Sequence, residues 1–164
     1  MYTFDKIILV AATTTTAMLA GLFYGWSVSV IPGLARLSNT EYLSAIQAMN
    51  RAILNPLFFV SFMGSVVLLP LAAYLNYSQP ASLCFWLIAA AAVLYIFGTF
   101  GITMAKNVPL NDMIDKFNIA TASEEAKAAQ RALFEQPWNK LHHTRTVIGL
   151  IATVCMILAC LVKK

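Results

Sequence analysis

Four long apolar runs organise this chain: Ile7–Ile31, Ile53–Leu75, Leu83–Met104 and Val147–Val162. The first holds no ionisable side chain except Tyr24. At 1.5 Å per helical residue it reaches roughly 37 Å, enough to cross a hydrocarbon core of about 30 Å with some tilt. Lipid cannot satisfy an open backbone, so such runs predict transmembrane helices. The fourth run is short, but a helix begun at Pro137 carries it across. The expected spans are then about 7–31, 53–75, 83–104 and 138–162. The fold class that follows is all-α: a four-transmembrane-helix antiparallel bundle in one domain, residues 1–164.

The polar segments predict where the helices stop and start. Pro32-Gly33 ends the first helix. Ser38 and Glu41 have the spacing of a capping box and open a short helix. Tyr42, Ile46, Met49 and Ile53 share one side of it, to pack on the bundle or lie in the interface. Asn55-Pro56 suits an N-cap followed by proline at the first helical position. The uncharged Asn76–Ser82 loop makes helices two and three an antiparallel hairpin, flanked by Tyr74, Tyr77 and Trp86 as an aromatic belt. Pro109 is expected to end the third helix near Lys106. Thr121-Ala122-Ser123-Glu124 opens a second short helix up to Glu135, read as a solvated connector, before Pro137 starts helix four. The first and third loops would thus each carry a short interfacial helix.

Composition agrees. The chain is 60% hydrophobic, and its mean hydropathy of +0.73 is high for a soluble domain. The net charge of +4 suits anionic lipid and gives no case for nucleic acid. Eight basic residues lie with the first and third loops and three near the chain ends. The positive-inside rule therefore favours a cytoplasmic loop side, with both termini together on the other side of a bacterial inner membrane. The long first run reads as a permanent helix and not a signal peptide. Cys84, Cys155 and Cys160 lack metal or redox spacing.

Within the spans, hydroxyls of Thr13–Thr16 can bond back to the preceding turn. Ala17, Gly21, Gly25 and Ser29 form a small-residue stripe, for helix packing, for a homo-oligomer, or for room around a flat ligand near Phe23, Tyr24 and Trp26. Trp138, His142, Arg145 and Gly149 share one face of helix four. An arginine and a histidine facing lipid are costly, so they either anchor at the interface or point inward and pair. His143 points elsewhere, to water or Glu135. Asn50, Arg51 and Asn55 at the start of helix two, and Asn107 and Asn111 after helix three, gather on the same side as His142 and Arg145. No group of residues has zinc spacing, although a lone axial histidine for haem stays open.

Several segments together resemble the anthrone oxygenase-like family of small integral membrane proteins. They are Asp5–Leu9, Gly21–Tyr24, Asn50–Pro56, Asn107–Asn111 and Trp138–Thr146. The Asn-Val-Pro-Leu-Asn and Trp-x-x-x-His-His-x-Arg-Thr segments are the most specific. The resemblance implies oxidation of anthrones to anthraquinones by O₂ with no added cofactor. On that analogy His142 would take a proton from the ring carbon, and Arg145 with Asn107 or Asn111 would hold the oxyanion. Phe23, Tyr24, Trp26, Asn55 and Trp138 would bind the small apolar aromatic ligand, in a pocket opening towards membrane lipid. Two other classes stay open: a non-catalytic binding or transport protein, and a structural membrane component. An enclosed cavity holding His142 and Arg145 separates the first two from the last.

Overall fold

A computed structural model describes residues 3–163. It contains five helices: α1 (Phe4–Leu34), α2 (Asn39–Ala52), α3 (Pro56–Leu75), α4 (Leu83–Asp115) and α5 (Glu124–Val162). Four of them, all but α2, are long and apolar enough to cross a bilayer, and no strand occurs among the described residues. This is a multi-pass helical bundle.

Its outer surface carries large apolar side chains, among them Val10, Met18, Val60, Val67, Phe97, Val154 and Leu161. Water would penalise such a surface, whereas lipid does not. The interior mixes small side chains such as Ala12, Ala91 and Ala152 with large ones such as Leu19, Leu69, Ile88 and Tyr95, and several of its hydroxyls are satisfied locally. Thr16 donates to the Ala12 carbonyl at 2.7 Å, Ser65 to Ser61 at 2.9 Å and Thr153 to Gly149 at 2.9 Å. Thr13, Thr14 and Thr15 bond back in the same way, as their hydroxyls predicted.

α4 and α5 approach most closely at two glycines. A Cβ on Gly98 would lie 2.4 Å from Ile148 Cγ2, and one on Gly149 would lie 3.3 Å from Thr99 Oγ1. Thr99 Oγ1 reaches the Arg145 carbonyl at 3.3 Å. This tight seam sets the register that brings Thr103 beside Arg145. The stripe Ala17–Ser29 plays no such part: a Cβ on Gly21 or Gly25 would meet nothing within 4 Å, so no other helix of this chain packs on it there.

Three expected helix boundaries move, each at a proline. α1 runs through Pro32 to Leu34, and α4 runs through Pro109 to Asp115. In both cases a π-helical turn ends two residues before the proline, Trp26–Val30 in α1 and Thr103–Asn107 in α4. The Ile31 N–H bonds the Trp26 carbonyl and the Val108 N–H bonds that of Thr103. The widened turn shifts the carbonyls that a proline ring would strike and tolerates the missing N–H, so the helix resumes. Pro137 lies inside α5, on its exposed side. Helix four therefore begins at Glu124, capped by the Ser123 side chain at 3.2 Å from the Ala126 N–H. The third loop carries no separate helix. α3 begins at Pro56, the start that Asn55-Pro56 predicts, with the Asn55 side chain accepting from the Phe58 N–H at 3.1 Å.

The capping box of α2 forms as its spacing predicts. Tyr42, Leu43 and Ile46 are buried against Leu34, Ile114, Phe134 and Trp138. Polar contacts fasten this layer. Gln47 donates to the carbonyls of Ile114 and Phe117 at 2.8 and 2.9 Å, and Arg51 pairs with Asp115 at 2.8 Å. Arg131 pairs with Glu135 at 2.7 Å, donates to the Leu37 carbonyl at 2.8 Å and lies over the Tyr42 ring. The first part of α5, read as a solvated connector, is largely exposed from Glu124 to Ala129 and packs on this layer through Arg131 and Phe134. At the opposite end of the bundle, Lys163 bonds both Asp5 and Asn76.

Candidate functional site

The main bundle core and the α2 layer meet around a cavity of about 290 Å³. Its aromatic walls come from Phe23 and Trp26 of α1, Phe58, Phe59 and Phe62 of α3, and Trp138 of α5. Thr103, Met104, Val108 and Asn111 of α4 line another side, and Met49, Asn50, Ile53 and Leu54 close it from α2 and the turn after it. His142 and Arg145, with Asn50, Thr103 and Asn111, form the polar part of the lining. Leu22, Leu54, Phe59 and Met104 line the cavity and are also exposed on the outer surface. Its mouth is therefore apolar.

Arg145 is only 6% exposed. Its Nη1 donates to Thr103 Oγ1 at 2.9 Å, and its Nη2 donates to His142 Nδ1 at 3.1 Å. The guanidinium lies 4.2 Å above the Phe23 ring and 5.3 Å from that of Trp138. Both contacts are cation–π interactions, which soften the burial of a cation. No carboxylate pairs with Arg145 among the described residues, and its Nε has no partner.

The hydrogen bonds of His142 fix its tautomer. A guanidinium can only donate, so Nδ1 is the acceptor. Nε2 lies 3.1 Å from the Phe23 carbonyl, which can only accept, and 3.1 Å from Ser27 Oγ. Nε2 therefore carries the proton. Trp138 stacks on the imidazole at 4.9 Å with an interplanar angle of 6°, and Phe23 meets it edge-on at 5.5 Å. The expected base is thus arranged with its single lone pair already engaged by Arg145.

Of the other residues expected from sequence, Trp26, Asn111, Phe23 and Trp138 line the cavity. Asn111 Oδ1 accepts from Trp138 Nε1 at 2.8 Å, which leaves its amide N–H groups for another acceptor. Asn107 is fully buried, with both amide atoms unpaired, and does not line the cavity. Tyr24 is exposed and Asn55 serves as the α3 cap, so neither lies in the lining. His143 is exposed, and Glu135 is taken by Arg131.

A family model described as anthrone oxygenase matches residues 58–155, more than half of the chain. This chain belongs to the anthrone oxygenase family. The matched stretch covers Thr103, Asn107, Asn111, Trp138, His142 and Arg145, while the α1 and α2 walls of the cavity lie outside it. No curated protein and no solved structure matches the chain.

Sequence reasoning missed Thr103, Phe58 and Phe62. Thr103 stands four residues before Asn107 and eight before Asn111, so helical spacing put all three on one side once α4 is known to continue. Phe58 and Phe62 gave no signal, because an aromatic in an apolar span reads equally as lipid-facing. Asn50 was part of the polar gathering, and it lines the cavity with an unpaired buried Nδ2.

Proposed function

We propose that this protein is a membrane-embedded, cofactor-independent oxygenase of flat aromatic substrates. The reaction converts an acidic ring CH₂ into a ketone with O₂. The observation that carries this reading is a buried, carboxylate-free Arg145 at the wall of an aromatic-lined cavity, in a chain of the anthrone oxygenase family.

The chemistry balances without a cofactor. Loss of a proton gives an enolate, whose negative oxygen is stabilised by Arg145 and by the spare N–H groups of Asn111. The enolate carbon adds O₂ to form a peroxide. The O–O bond breaks with loss of the second ring proton, one oxygen stays as the ketone and the other leaves as water. Asn111 takes this role ahead of Asn107 because it lines the cavity. We assign His142 to holding Arg145 through Nδ1, and the proton leaves to water. Phe23, Trp26, Phe58, Phe62 and Trp138 supply flat apolar surface against which the rings lie. The excess of basic residues on the side of the site supports a cytoplasmic position for it.

The test is direct. Purified protein should accelerate anthrone consumption and take up O₂ in step with it, and Arg145→Ala should abolish the acceleration. A rate equal to that of heat-inactivated protein ends this proposal.

A further inference from the structure

The cavity is chemically one-sided. Three of the residues that line it, Trp26, Asn50 and Arg145, hold a buried N–H donor with no partner. No unpaired buried acceptor belongs to a lining residue among those described. The acceptors nearest Arg145 are spent on it, Thr103 Oγ1 and His142 Nδ1, and both are neutral.

The charge has the same bias. The chain has seven carboxylates, and none lines the cavity. Asp5, Asp115, Glu124 and Glu135 are paired with Lys163, Arg51, Lys127 and Arg131. Glu41 caps α2, and Asp112 and Glu125 are exposed. A desolvated cation with only neutral partners is a strong attractor for an anion.

We infer that the cavity takes its ligand as an organic anion: a flat aromatic phenolate or enolate, with its charged oxygen on Arg145 and its rings against Phe23, Phe58, Phe62 and Trp138. This rests on the aromatic-ligand reading above and does not require turnover. The volume of about 290 Å³ is at the lower limit of small-molecule pockets, near 300 Å³, and excludes a whole phospholipid. The apolar mouth at Leu22, Leu54 and Met104 admits the neutral acid from lipid. Once inside, Arg145 within about 4–6 Å of its oxygen favours the ionised form and offsets the desolvation that disfavours it, so it ionises in place and its proton passes to water.

Alizarin, a dihydroxyanthraquinone whose visible band moves to longer wavelength on ionisation, makes this measurable. The full-length protein is placed in nanodiscs of zwitterionic lipid, at a pH where the dye stays neutral in empty nanodiscs. The wild type should show the phenolate band. Arg145→Gln should lose it and bind the dye roughly 30-fold more weakly or worse, while Arg145→Lys should keep part of it. Thr103→Val retains the charge but loosens its hold, so it should weaken the band, and it serves if Arg145→Gln does not fold. Dye bound in its neutral form by the wild type overturns the inference, as does a phenolate band that survives in Arg145→Gln. Displacement of the dye by a long-chain fatty acid at equal concentration would replace the aromatic class with an aliphatic carboxylate and overturn it too. An Arg145-dependent band without anthrone turnover leaves this inference standing and removes the proposed reaction; turnover without the band does the reverse.

Discussion

Arg145 Nη2 donates to His142 Nδ1 across 3.1 Å, one turn apart on α5. That contact makes the imidazole an acceptor towards the cation and a donor towards the Phe23 carbonyl. Arginine, histidine and the α1 backbone thereby form a single chain of hydrogen bonds, and Trp138 stacked on the imidazole holds it flat.

His142 should therefore act through geometry. Asparagine places an oxygen acceptor near the position of Nδ1 but cannot serve as a base. His142→Asn should keep within about tenfold of the wild-type kcat for anthrone oxidation, whereas His142→Phe, which leaves a buried donor unmatched, should lose at least that factor. Nitrogen NMR of histidine-labelled protein at neutral pH should show the Nε2–H tautomer. Equal losses in the two variants, or an Nδ1–H signal, would give His142 a different role.

Thr103 is the second anchor of the guanidinium, at 2.9 Å. Valine matches its shape and removes the hydroxyl. Thr103→Val should cost about 1–3 kcal/mol in transition-state stabilisation, a fall of roughly 5- to 150-fold in kcat/KM. Its thermal midpoint should also fall, by roughly 2–10 °C, because a buried guanidinium N–H is left without its acceptor. Steady-state kinetics beside a thermal scan separates the two effects.

Gly98 has no room for a methyl group, with Ile148 Cγ2 at 2.4 Å from the Cβ position. Gly98→Ala should destabilise the bundle by about 1–3 kcal/mol through overpacking. Ile148→Ala in the same chain should recover part of that loss, because the two changes share one contact. Thermal unfolding in detergent reads both. A neutral Gly98→Ala would mean that α4 and α5 are further apart.

Glu41 accepts from Ser38, both from its hydroxyl at 2.7 Å and from its N–H at 2.9 Å. These bonds hold its carboxyl below the usual glutamate range. A depressed carboxylate contributes its stabilisation above its unfolded pKa and loses it as pH falls through the folded value. Amide exchange in the first turn of α2 should accelerate, beyond the intrinsic pH effect, as the solution is acidified through that range. Glu41→Gln should remove this extra dependence.

Most helix starts were legible because they are local. Ser38 with Glu41, Asn55 with Pro56 and Ser123 before Glu124 each supply a side-chain acceptor to a nearby N–H, and neighbouring residues alone decide that. Pro32 and Pro109 misled for the opposite reason. Whether a proline ends a helix depends on whether the turn before it can widen, and the π turns at Trp26 and Thr103 each pack against α5, at Trp138 and Arg145. The continuation of α4 then carries Asn111 towards Trp138, which no spacing rule announced.

The sequence by itself determined that this chain belongs in lipid, in four spans, and that an arginine and a histidine share one face of the last. Hydrophobic length and helical period suffice for that, because burial of apolar surface is non-directional and side-chain direction repeats every 3.6 residues. Only the tertiary structure decided that the face of Arg145 meets Thr103 and the Phe23 carbonyl, that aromatic rings from α1 and α3 enclose a cavity beside it, and that every carboxylate lies elsewhere. Those relations depend on the rotation and register of helices far apart in sequence, fixed by close contacts such as Gly98 against Ile148 that no local pattern encodes.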